Sequence, residues 1–108
     1  MRHGNLFSGL PPAGPEEVFQ PLAGTAGTRI ERIVSTGQAS PDGFWYDQAT
    51  AEFVLLVAGA AALRIEGEAT PRHLAPGDWL ELPAGCRHRV DWTQADPPTV
   101  WLAVHFPA

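Results

Sequence analysis

The stretch Gly77-Asp78-Trp79-Leu80-Glu81-Leu82-Pro83-Ala84-Gly85-Cys86-Arg87-His88 decides how the rest of the chain is read. From Asp78 to Leu82, Trp79 alternates with Leu80 and Glu81 with Leu82, the pattern of a β-strand with two unlike faces. Pro83-Ala84-Gly85 then signals a turn: proline presets its own φ near about −65°, and glycine accepts the positive φ that a tight reversal often needs. A second strand opens on His88, so the turn holds that imidazole at a reproducible place at the head of a strand.

Working outward, His88, Val90 and Trp92 alternate with Arg87, Arg89 and Asp91, which predicts one inward and one outward face. Gln94 to Pro98 is a polar loop. Thr99 to Phe106 is a final strand with apolar residues on both faces, Val100, Leu102, Val104 and Phe106 against Trp101, Ala103 and His105. Such a strand is either central or packed on another subunit. Upstream, Ala60 to Glu66 and Arg72 to Leu74 read as strands around a Glu66-Gly67-Glu68 tip. Glu52 to Val57 is a nearly apolar strand with Glu52, Val54 and Leu56 on one face. Phe44 to Gln48 is a strand leading into it, after a loop over Thr36 to Gly43. Arg29 to Ser35 is the first firm strand, but Arg32 shares a face with Ile30 and Val34, which requires a bulge, a rim position or an inward, partnered arginine. Residues 1–28, with Pro11, Pro12, Pro15 and Pro21, form an arm along the barrel or a partner, and Glu17 to Gln20 is a short edge strand within it. Residues 29–108 form the barrel.

The chain has 108 residues, room for one core. Hydrophobic residues make up 44% and charged residues 18%, a globular composition. Eleven prolines are about twice the usual share and, with eleven glycines, imply frequent turns and an all-β chain with little helix. A net charge of −5 without a basic run argues against nucleic acid as a partner. The single cysteine, Cys86, excludes an internal disulfide and a multi-cysteine zinc site, and reads as a small turn residue. There is no apolar stretch of membrane-spanning length and no secretory signal after Arg2, which sets the expectation of a soluble, cytoplasmic protein.

Gly77, Pro83, Gly85 and His88 stand at the spacing of the second motif of the cupin superfamily. Gly43, Glu52 and Gly59 match its first motif in order and separation. From about Arg29 to Phe106 the chain thus resembles a small, single-domain cupin of the cupin 2 type. The departures are Tyr46 and Gln48, which stand where the first motif has two histidines, and Trp92, where an asparagine often stands. The resemblance implies a double-stranded β-helix, or jelly-roll, barrel of two antiparallel sheets around a pocket, and pairing through an outer sheet face into a homodimer.

Cupins usually hold Fe, Mn, Ni, Cu or Zn inside the barrel on three histidines and a glutamate. Carried over by residue, that pattern leaves Glu52 and His88 as metal ligands and Gln48 as a weak third candidate through its amide oxygen. Tyr46, Asp47 and His105 are pocket candidates. Tyr46 is a poor ligand unless ionised, Asp47 turns inward if a one-residue bulge lengthens the spacing, and His105 contributes an imidazole if its face of the last strand is the inner one. Against the metal stands a metal-free reading, in which Glu52 and His88 are a hydrogen-bonded pair completed by Tyr46 or Gln48. Two functions follow. One is a small-molecule-binding protein, an anionic metabolite among the candidate ligands, with a weakly bound divalent ion or none. The other is a metal-dependent cupin enzyme of the dioxygenase or isomerase type acting on a small organic substrate.

Overall fold

In the computed structural model, which describes residues 1–108, eight strands follow one another without a helix. They are β1 (Val18–Thr25), β2 (Thr28–Ser35), β3 (Ala51–Ala58), β4 (Ala61–Ile65), β5 (Arg72–Leu74), β6 (Trp79–Leu82), β7 (His88–Thr93) and β8 (Thr99–Phe106). Two antiparallel sheets result, one ordered β1-β2-β8-β3-β6 and the other β5-β4-β7. The all-β chain expected from the turn-rich sequence, and the jelly roll that the resemblance implies, are therefore the fold. No helix is long and apolar enough to cross a membrane.

Strand alternation places the core. On β3, Glu52, Val54 and Leu56 are buried, and they face Leu63, Leu74 and Val90 of the other sheet across the interior, with Leu82, Ile33, Trp101 and Ala103 of their own sheet closing it. The two-faced last strand is central, hydrogen-bonded to β2 on one side and β3 on the other.

Four expectations change. The segment assigned to the arm divides, because Val18–Thr25 is a full strand in a hairpin with β2, longer than the edge strand read over Glu17 to Gln20. β2 keeps an unbroken register with β8; the irregularity lies in β1, between Pro21 and Ala23. Arg32 accordingly points away from the barrel interior yet is buried, because the N-terminal segment lies over it: its guanidinium donates to the carbonyls of Leu6 at 2.9 Å, Ser8 at 2.8 Å and Gly9 at 3.3 Å, and to Gln20 Oε1 at 2.7 Å. The same alternation turns Glu31 inward. Phe44 to Gln48 is no regular strand; Tyr46 alone forms a β-bridge, with His88. Finally, β7 carries a bulge: Leu63 pairs with Val90 and Ala62 with Trp92, so Asp91 has no partner across the ladder. The extra residue sends Trp92 outward, 49% exposed, instead of onto the face of His88 and Val90.

Candidate functional site

The two motifs meet through their backbones. Cys86 N donates to Pro83 O at 3.0 Å, closing the turn that the sequence announces, and Gly85 has φ of 76° within it. Gly85 N donates to Gln48 O at 2.8 Å, Tyr46 N to His88 O at 2.7 Å and His88 N to Tyr46 O at 3.1 Å. The turn thus fixes both the strand that opens on His88 and the segment that carries Tyr46 and Gln48. The Tyr46 and His88 rings stack with centroids 5.3 Å apart.

Inside the barrel the polar side chains form a line across β2, β8, β3 and β7. Glu31 Oε1 lies 3.0 Å from His105 Nε2, His105 Nε2 lies 3.5 Å from Glu52 Oε2, and Glu52 Oε1 lies 3.5 Å from His88 Nε2. All four residues are buried. His88 Nδ1 is 2.9 Å from the Cys86 carbonyl, which can only accept, so Nδ1 carries a proton and Nε2 is the position that titrates. Burial by itself lowers the pKa of His88. The hydrogen bond to Glu52, the Cys86 carbonyl and the Glu52 charge outweigh burial and hold it above the ordinary imidazole value. His105 Nε2–H donates to Glu31, leaving His105 Nδ1 buried without a partner.

Of these four residues, Glu52 and His88 border a cavity of about 60 Å³, lined also by Glu17, Tyr46, Gln48 and hydrophobic side chains. Of the residues expected at the site, Glu52, His88, Tyr46 and Gln48 line this cavity. His105 joins through Glu52 from the inner face of β8. Asp47 does not belong: no bulge turns it inward, and it is exposed. The cavity lining holds no arginine or lysine, so His88 is its one side chain able to carry positive charge.

Sequence reasoning missed Glu31, Glu17, Ser35 and Trp101. Glu31 was visible as the residue opposite Arg32 in the β2 alternation, a signal that the apolar count of the strand obscures. Ser35 and Glu17, which are hydrogen-bonded at 2.7 Å across the β1–β2 hairpin, left no spacing to read.

The donor set does not fit a tightly held metal. Tyr46 is kept a neutral phenol, since burial first and then the charges of Glu17, Glu52 and Glu31 raise its pKa. Gln48 offers only an amide, and His105 Nε2 is engaged by Glu31. No three histidine, cysteine, aspartate or glutamate side chains converge as metal ligands do.

A cupin-domain family model matches residues 33–105. A solved structure from Ralstonia eutropha, provisionally assigned as a mannose-6-phosphate isomerase, is 56% identical over 100% of both chains with a TM-score of 0.97. A cupin superfamily protein from Desulfitobacterium hafniense is 15% identical over 92% of this chain and 84% of its own, TM-score 0.75. A cupin family protein with a double-stranded β-helix fold from Methanocaldococcus jannaschii is 17% identical over 91% of this chain and 86% of its own, TM-score 0.70. At that identity the last two carry the fold alone. Among curated proteins nothing matches the sequence.

Proposed function

The chain belongs to the cupin family, and on that premise we propose that it binds a small molecule in the cavity between Glu52, His88 and Tyr46. The observation that carries this is the cavity: mostly apolar walls with a few convergent polar groups, the composition of ligand sites generally. Its ≈ 60 Å³ is well below the roughly 300 Å³ at which drug-sized sites begin, so a ligand of a few heavy atoms fits without rearrangement. Tyr46, a neutral phenol, donates one hydrogen bond, protonated His88 Nε2 another, and Glu52 accepts. We propose in addition that the outward face of β3, β6 and β8 pairs with a second copy to make a homodimer.

A second reading, an isomerase, is favoured by the 56% identity to the Ralstonia eutropha structure. Interconverting an aldose and a ketose moves a proton between neighbouring carbons, which needs a base near carbon and a donor at oxygen, and Glu52 with His88 offers such a pair. A phosphorylated hexose suits this cavity poorly, since no arginine or lysine lines it, His88 already faces Glu52, and its volume is small.

Ring signals of His88 and Tyr46, followed by NMR during titration with glycolaldehyde and glycerol, test the first reading. Both are expected to shift in the wild type and to stay still in a folded Glu52→Gln protein, and the Tyr46 signal is expected to stay still in a folded His88→Ala protein. Turnover of mannose 6-phosphate by the wild type, abolished by Glu52→Gln, supports the isomerase instead.

A further inference from the structure

Glu17 lies upstream of the residues that the family model matches, 33–105, yet it lines the same cavity as Tyr46, Glu52 and His88. The β1–β2 hairpin brings it there, pairing Val18 with Val34 and Phe19 with Ile33. Its carboxyl is held from one side only. Trp101 Nε1–H donates to Ser35 Oγ at 3.0 Å, and Ser35 Oγ–H donates to Glu17 Oε2 at 2.7 Å. Because the indole occupies the hydroxyl as an acceptor, the serine proton is directed to Glu17, and Oε1 is left for whatever enters the cavity. The preceding chain is anchored as well, by Arg32 on the carbonyls of Leu6, Ser8 and Gly9 and by Gln38 Nε2 on Gly14 O at 2.7 Å. Glu17 therefore has a built position rather than a chance one on a loose arm.

From this arrangement we propose that Glu17 is a ligand-contacting, specificity-determining residue of the cavity, selecting small uncharged hydroxyl- or carbonyl-bearing molecules over carboxylated or phosphorylated ones. The proposal rests on the small-molecule reading of the same cavity. An anion placed there would meet two carboxyl side chains, Glu17 and Glu52; His88, the one lining group able to carry positive charge, already faces Glu52 at 3.5 Å, and no arginine or lysine offsets Glu17. In such partly desolvated surroundings like charges repel far more than in water. A neutral ligand avoids this: its hydroxyl or amide donates to Glu17 Oε1 or to Glu52, while its carbonyl accepts from Tyr46. Burial pushes the Glu17 carboxyl upward despite the Ser35 hydrogen bond, so it can also donate to a carbonyl when protonated.

Glycolamide and glycolate are nearly the same shape and differ in charge, which makes them a suitable pair of probes for the full chain. Binding is read from the indole Nε1–H signal of Trp101 and the ring signals of His88, and folding from the dispersion of the whole spectrum. Wild type is expected to bind glycolamide at least about tenfold more tightly than glycolate, a factor of ten corresponding to about 1.4 kcal/mol. Glu17→Gln keeps the size and the acceptor for Ser35 but removes the charge, and is expected to narrow that ratio to about threefold or less. Ser35→Ala, which frees Glu17 without removing it, is expected to shift the ratio in the same direction by a smaller factor. An unchanged ratio in Glu17→Gln, with binding of both probes lost in Glu52→Gln, overturns the role of Glu17 and leaves the cavity reading standing. No response to either probe in the wild type overturns both.

Discussion

The side chain on which the site turns is His88, because its Nδ1 is committed to a backbone carbonyl and its Nε2 faces Glu52. Its pKa is raised in the folded protein above 6.5, so its contribution to stability is complete below about pH 6.5 and is lost as pH rises through the folded value. Glu52→Gln removes the principal raising influence. The stability gap between wild type and Glu52→Gln, measured by urea unfolding, should therefore shrink as pH rises from about 6 to about 8. A gap that widens over that range refutes the assignment. The same scale holds the metal question. Wild type should retain little Zn(II), Mn(II) or Fe(II) after desalting, whereas Tyr46→His with Gln48→His should approach one equivalent, because imidazoles then replace a phenol and an amide. Stoichiometric metal in wild type would mean that Tyr46 and Gln48 are better ligands than their chemistry suggests.

Among the elements, the turn after β3 is the least tolerant. Gly59 has φ of 87°, and a Cβ there would lie 2.7 Å from Thr99 Cα and 2.6 Å from Thr99 Oγ1. The backbone of β8 cannot move away without breaking its register with β3, so Gly59→Ala should cost about 2–4 kcal/mol in chemical unfolding. Gly85 makes a useful contrast, since it has a similar φ but open space around it. Gly85→Ala should cost only the conformational penalty, about 1–2 kcal/mol. Equal losses at the two sites would remove the packing argument. The β7 bulge belongs here as well. Asp91, without a partner across the ladder, takes Arg64 at 2.9 Å and Arg89 at 3.1 Å on the outer surface.

At the scale of the whole molecule, the outward face of the larger sheet is apolar. Phe53, Leu55, Leu102, Val104 and Phe106 are half-buried, and Trp79, stacked on Phe53 at 5.5 Å, is 59% exposed. Contiguous apolar surface of this kind marks association sites. Sedimentation at micromolar concentration should give a species of twice 11.6 kDa, and Trp79→Glu should shift it toward the monomer. A monomeric wild type at that concentration would refute the pairing.

Local pattern was enough for the fold and for half of the site. Turns at Pro83-Ala84-Gly85 and Ser40-Pro41-Asp42-Gly43 and period-two alternation on β3 and β8 point to an all-β chain, and the resemblance carried by the two spaced motifs implies the jelly roll with Glu52 and His88 on inner faces. Those signals are short-range, because turn chemistry and strand alternation act over a few residues. Only the tertiary structure joined Glu31 to His105, 74 positions apart, and brought Glu17 beside Ser35. It alone showed that Arg32 is buried outside the barrel under the N-terminal carbonyls, on the face of β2 opposite to Glu31. It alone placed the β7 bulge that turns Trp92 outward. Sheet register and chain crossings decide such contacts, and no window of sequence contains both partners.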